Sequence, residues 1–68
     1  MLYDIKAGTS QDGIYGIVTA RVKGESVPEY VEEFLSRGWP DLTITQYEGI
    51  FDTELKIDFD GYFGKKGS

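Results

Sequence analysis

The chain has 68 residues, 40% of them apolar and 15% aromatic, with 12 acidic against 7 basic side chains and neither histidine nor cysteine. That length allows one domain and one core, and the composition is that of an ordered globular chain. The missing cysteines exclude disulfides, thiolate nucleophiles and Cys-ligated zinc or iron–sulfur sites, and the net charge of −5 disfavours direct binding to nucleic-acid phosphate or anionic lipid.

From the N-terminus, Leu2 to Ala7 alternates, with Tyr3, Ile5 and Ala7 on one side and Leu2, Asp4 and Lys6 on the other, as a half-buried strand requires. The polar stretch Gly8-Thr9-Ser10-Gln11-Asp12-Gly13 has the length of a hairpin loop. A second strand follows from Ile14 to Lys23. Its core face reads Ile14, Gly16, Val18, Ala20, Val22, and its other face Tyr15, Ile17, Thr19, Arg21, Lys23. Gly16 marks a bulge or a close approach by a bulky group.

A helix is expected over about residues 27–37. Val27, Tyr30, Val31, Phe34 and Leu35 form its apolar stripe, and Glu29, Glu32, Glu33, Ser36 and Arg37 face outward. Ser26 and Glu29 have the spacing of a capping box, and Pro28 fits the first turn, where its missing N–H has no intrahelical acceptor. Gly38 suits a left-handed C-cap, Trp39 can fold back on Phe34 or Leu35, and Pro40 prevents continuation.

Residues 42–48 alternate again, with Leu42, Ile44 and Gln46 against Thr43, Thr45 and Tyr47. A fourth strand is expected over Glu54 to Asp60, where Leu55, Ile57 and Phe59 face the core and Glu54, Lys56, Asp58 and Asp60 face away. The connecting turn fits Glu48-Gly49, which puts Phe51 on the core side with Leu55, or Asp52-Thr53, which leaves Gln46 and Glu48 buried; the first is preferred. Tyr62 and Phe63 can dock, and the glycine-rich residues 64–68 read as a flexible tail.

The order β-β-α-β-β predicts an α+β fold, a single domain over residues 1–63 with one helix on one face of a four-stranded, mainly antiparallel sheet in the order 2-1-3-4. No apolar run approaches a membrane span and the N-terminus lacks the pattern of a secretory leader, so the chain reads as soluble and cytoplasmic, with no membrane partner.

With no histidine, no cysteine and no nucleophile elbow around its serines, the chain offers no catalytic constellation. Asp58-Phe59-Asp60-Gly61 lacks the later ligands of a calcium loop, and no glycine pattern cradles a phosphate. An enzyme is not expected, nor a metal or cofactor. The sheet face opposite the helix is the first binding candidate, through Tyr15, Ile17, Arg21, Tyr47 and Lys56, because tyrosine supplies contact area at little entropic cost. Base stacking by these tyrosines is opposed by Glu54 and Asp58 on the same face and by too few basic residues for a phosphate track. The second candidate is the acidic helix side, Glu29, Glu32 and Glu33 with Glu25 and Asp41 nearby, which suits a basic partner surface.

The run of alternating strand, Ser26-capped acidic helix and return strand, within residues 3–48, resembles the core of small phage-encoded proteins, among them some that bind and block bacterial RNA polymerase. The resemblance carries no functional residue to this chain. It implies a partner-directed protein, so the expected function is a non-enzymatic, acidic protein-binding module, an inhibitor or regulator of a nucleic-acid-handling host protein. The alternative is a homo-oligomeric structural module, such as a homodimer, that associates through the open sheet face or its edge strands.

Overall fold

The computed structural model describes residues 1–64. Its elements are β1 (Leu2–Gln11), β2 (Ile14–Lys23), a 3-10 turn (Gly24–Ser26), α1 (Val27–Ser36), β3 (Asp41–Gln46) and a short α2 (Phe59–Phe63). The sheet has three strands in the order β2-β1-β3, with β1 antiparallel to both neighbours. The α+β class and the central place of β1 match the sequence reading; the fourth strand does not form.

The first hairpin is longer and tighter than the polar stretch from Gly8 to Gly13 suggested. Both strands continue to a two-residue connection, Asp12-Gly13, with Gln11 opposite Ile14. Asp12 and Gly13 have φ of 53° and 81°. Two left-handed residues in this position reverse the chain with the twist that antiparallel strands need, and Asp-Gly is among the dipeptides that take that geometry readily.

Alternation decides the two faces. Ile5, Ala7, Ala20 and Val22 turn toward α1 and are almost wholly buried with Tyr30 and Phe34. Val18 and Leu42 pack at the margin of this cluster, whereas Ile14, at the hairpin tip, is 74% exposed. Gly16 accommodates the Trp39 indole: a Cβ built there would stand 3.5 Å from its edge, an ordinary contact, so the close approach is real and uncrowded.

The helix start differs from the expected capping box. Ser26 has helical φ and ψ of −91° and −11° and its side chain makes no capping hydrogen bond, because the chain enters α1 through the 3-10 turn instead of from an extended residue. The C-terminus follows expectation. Gly38 takes φ of 84°, its N–H donates to the Leu35 carbonyl at 3.2 Å, and the Trp39 N–H donates to the Phe34 carbonyl at 2.9 Å. These two bonds constitute a Schellman motif, which turns Trp39 back under the helix. Leu35, assigned to the apolar stripe, is 52% exposed, since Tyr30 and Phe34 already occupy the position above the sheet.

After β3 the chain crosses the end of the sheet. The Tyr47 N–H donates to the Leu2 carbonyl at 2.9 Å, no hairpin forms at Glu48-Gly49, and the next regular contact is a bridge between Leu55 and Arg21 on the outer edge of β2. The fourth segment therefore lies beside β2, not beside β3 as the order 2-1-3-4 required. From there Ile57 and Phe59 turn onto the helix side, where the Ile57 N–H donates to the Tyr30 hydroxyl at 3.0 Å. Phe51, expected in the core, is 66% exposed.

The final element is helical where a strand was expected to end. The Phe59 ring lies edge-on 5.1 Å from both Tyr30 and Phe34, and Phe63 reaches Trp39 at 5.4 Å. One helical turn brings the Phe59 and Phe63 rings within 5.9 Å of each other on one side, whereas a strand with the same three residues between them would hold them about 13 Å apart, too far for both to stay against α1. Of the residues read as a flexible tail, Gly64 accepts a hydrogen bond from Arg37 Nη1 at 2.8 Å. The remaining four, 65–68, lie outside the described residues.

Candidate functional site

The sheet face away from α1 is built by the register itself. Cross-strand neighbours place Ile17 and Asp41 beside Gly8, Thr19 and Thr43 beside Lys6, and Arg21 and Thr45 beside Asp4. No helix of the described residues covers these rows. A groove of about 340 Å³ runs over them, lined by Asp4, Lys6, Thr19, Arg21, Thr43 and Thr45 along the strands and by Leu55 at the rim.

At one end of the face Tyr15 spans three strands. Its ring crosses Gly8, whose missing side chain makes the passage, since a Cβ there would coincide with the phenol. Its hydroxyl donates to Asp41 Oδ2 on β3 at 3.2 Å. Partial desolvation, with help from Asp41, raises the Tyr15 pKa above its ordinary value of 10.0. This interaction therefore contributes in full below pH 10.0 and is lost as pH rises through the folded-state value. An Asp41→Asn variant is expected to move the Tyr15 titration, followed by NMR of its ring protons, back toward the ordinary range; an unmoved titration would mean that the two groups do not interact in solution.

At the other end Arg21 is committed. Its Nε donates to Asp4 Oδ1 at 2.7 Å, its Nη2 approaches Asp4 Oδ2 at 3.4 Å, and its guanidinium stacks 3.6 Å above the Tyr47 ring. The hydrogen bond to Asp4 raises the Arg21 pKa above its ordinary value. A charge paired and stacked in this way serves first to hold the crossing segment on the sheet.

The structure thus sorts the residues singled out in the sequence. Tyr15 and Ile17 stand on the open face, each 54% exposed. Arg21 and Tyr47 stand there too, as a stacked pair that is half-buried. Lys56 is a correction. Without a fourth strand it sits next to Leu55 at the β2 edge and shares Glu54 with Lys23, at 3.7 and 3.9 Å.

On α1, Glu29 and Glu32 are exposed, and among the described residues neither makes an ion pair. Glu33 is drawn into structure instead, accepting from Arg37 Nε at 3.0 Å. Asp41, grouped with this acidic side, accepts the tyrosine bond on the opposite face of the sheet.

No protein-family model, curated protein or solved structure matches the chain. These comparisons lend no support to the resemblance to small phage proteins.

Three features of that surface escaped the sequence reading. Lys6 lies at the centre of the open face between Thr19 and Thr43, and among the described residues it makes no ion pair. The alternation that buries Ile5 also places Lys6 here, so the signal was present. Leu55 forms the groove rim, and Ile50 and Phe51 project from the crossing segment, 88% and 66% exposed. No local pattern marks these three, because their exposure depends on the path the chain takes across the sheet end. Among the described residues no group of three or more potential metal-ligating side chains converges, and no helix is long and apolar enough to cross a membrane.

Proposed function

We propose that this chain is a non-enzymatic binding module that docks on another protein through the open face of its sheet. The observation that carries the reading is the pair Ile17 and Tyr15, large side chains half exposed on a face no described helix covers. On the same face runs a groove lined in part by Lys6, which makes no ion pair among the described residues. Such a surface suits a partner segment with an apolar anchor for Ile17 and a carboxylate for Lys6, the anchor providing affinity and the charge fixing register. Tyr15 is already braced against Asp41, so it loses little freedom on binding.

A second reading is favoured by Glu29 and Glu32, exposed and without an ion pair among the described residues, in a chain of net charge −5. Here the partner is a nucleic-acid-handling protein with a basic surface, and this chain inhibits or regulates it in the manner of the phage proteins it resembles. Direct nucleic-acid binding forms no part of either reading, since the same charge opposes it.

Affinity capture from a lysate of the source, with mass spectrometry, supplies the partner for both. Titration of the purified partner then separates them. On the first reading Tyr15→Ala/Ile17→Glu weakens binding by roughly tenfold or more, the scale of losing one central apolar anchor. On the second, Glu29→Lys/Glu32→Lys does so, and wild-type affinity falls steeply with salt. Unchanged affinity for the open-face variant, with an unchanged far-ultraviolet spectrum, would remove the first reading.

A further inference from the structure

We infer that the free edge of β3 pairs with β3 of a second copy of this chain, giving a two-fold symmetric dimer with a continuous six-stranded sheet. The Tyr47 N–H bonds to Leu2, which sets the alternation between β1 and β3: Asp41, Thr43 and Thr45 direct their backbone groups to β1, and Leu42, Ile44 and Gln46 direct theirs outward. Among the described residues nothing pairs with that outward row.

The other edge is guarded. On β2, Arg21 exchanges two hydrogen bonds with Leu55, at 3.0 and 2.7 Å, and Lys23 and Lys56 gather around Glu54 beside it. Charges and a covering segment are how proteins block unwanted strand addition. Among the described residues the β3 edge has neither: no segment pairs with it, and between Asp41 and Glu48 its residues are uncharged.

The occupant follows from self-complementarity. With Ile44 opposite its own copy, Leu42 meets Gln46 and Thr43 meets Thr45, and each outward N–H finds an outward carbonyl. Asp41 falls opposite Tyr47, so two chains of charge −5 join without one carboxylate facing another. The packing beside this edge agrees. Ile44, on the helix side of β3, is 42% exposed. Leu35 and Val31 lie on the flank of α1 opposite the Glu33–Arg37 flank that holds α2, and Leu35 is 52% exposed. The second copy would cover this strip in the same act as pairing the strands. Both open faces would remain on one side of the joined sheet, so this inference stands apart from the docking proposal.

One six-residue edge with an apolar flank makes an interface at or below the small end of stable complexes, about 1,200 Å² in total, so association will depend on concentration. Sedimentation equilibrium of the full chain from about 10 μM to about 1 mM is expected to show a monomer–dimer equilibrium. Amide exchange of the wild-type protein reads the register directly. Leu42, Ile44 and Gln46 should exchange slower by roughly tenfold or more at the higher concentration, while Thr43 and Thr45 stay protected at both. Ile44→Lys sets two ammonium groups face to face and should raise the dissociation constant by about tenfold or more. A monomer throughout the range would overturn the inference, and so would a dimer in which the exchange of Leu42, Ile44 and Gln46 does not change with concentration. The wild-type measurement stands even if the lysine variant fails to fold.

Discussion

Truncation of Phe34 to alanine is expected to leave the chain unfolded at 25 °C. Phe34 is wholly buried and is the largest side chain in that state. It joins the two halves of the core, the sheet residues Ile5, Ala20 and Val22 on one side and the rings of Tyr30, Phe59 and Phe63 on the other, at 6.4, 5.1 and 6.4 Å. Removing a buried phenylalanine costs about 3–5 kcal/mol through lost transfer energy and an unfilled cavity. A single core in a chain this short supplies a net stability of about 3–5 kcal/mol, so the loss matches the whole. Around it the Tyr30 and Phe59 rings meet edge-on, while Phe59 and Phe63 stack. Urea titration followed by far-ultraviolet circular dichroism and by the emission of Trp39, the lone tryptophan, provides the check. No cooperative transition is expected for Phe34→Ala, and a weakened one for Phe34→Leu, which keeps most of the volume. A wild-type midpoint for the alanine variant would mean that this cluster does not organise the fold.

Replacing Arg37 by alanine should have the second largest effect and a different character, releasing α2 while the sheet and α1 persist. The Arg37 side chain is 8% exposed. It donates to Glu33 Oε2 at 3.0 Å, to Asp60 Oδ1 at 2.7 Å and to the Gly64 carbonyl at 2.8 Å, and its guanidinium lies 5.6 and 5.9 Å from the Phe59 and Phe63 rings. One planar cation thus ties α1 to both ends of the last helical turn. A five-residue helix cannot hold itself in water, because nucleation is too costly, so α2 exists only while it is docked.

For Arg37→Ala, the Tyr62 amide, which donates to the Asp58 carbonyl at 2.8 Å, should lose its exchange protection, and the Trp39 emission should shift to the red as Phe63 leaves it. Ile5 and Val22 amides should remain protected. Arg37→Lys should not restore the contact, since one ammonium cannot address three acceptors set around a plane. Retained protection at Tyr62 in the alanine variant would assign the docking to the rings alone. The hydrogen bonds to Glu33 and Asp60 raise the Arg37 pKa, so its contribution is complete below the ordinary arginine value and is lost only above it. Alkaline weakening of the fold near the tyrosine range would therefore come from groups such as Tyr15.

Much of this was legible because it is local. Alternation placed Ile5, Ala7, Ala20 and Val22 on the core face, and the same two-residue period placed Ile17, Arg21 and Thr43 on the open one. Gly38-Trp39-Pro40 announced the end of α1 through the conformations those residues favour. The reading failed where a residue's neighbours come from elsewhere in the chain. Ser26 has the chemistry of a cap, yet the 3-10 turn before it puts its backbone in a helical conformation and takes away the geometry. Residues 54–60 alternate as a strand should, but only Leu55 meets an edge, and Phe59 and Phe63 then obey a helical spacing set by the rings of Tyr30, Phe34 and Trp39.

The candidate surface divides in the same way. Tyr15 and Ile17 were visible as large side chains on the uncovered face, whereas Lys56 was displaced from it and Leu55 brought to its rim by the crossing segment. By itself the sequence determined the class of fold, the three strands, the main helix and the acidic character of the surface, because strand period, cap chemistry and charge are properties of near neighbours. The tertiary structure alone decided that the segment around Leu55 guards β2, that no other described residue pairs with the outer edge of β3, that Arg37 clamps α2, and that Lys6 stands on the open face with no ion pair among the described residues. Those outcomes depend on which distant groups compete for the same core and the same edge, and that competition is settled only when the whole chain packs.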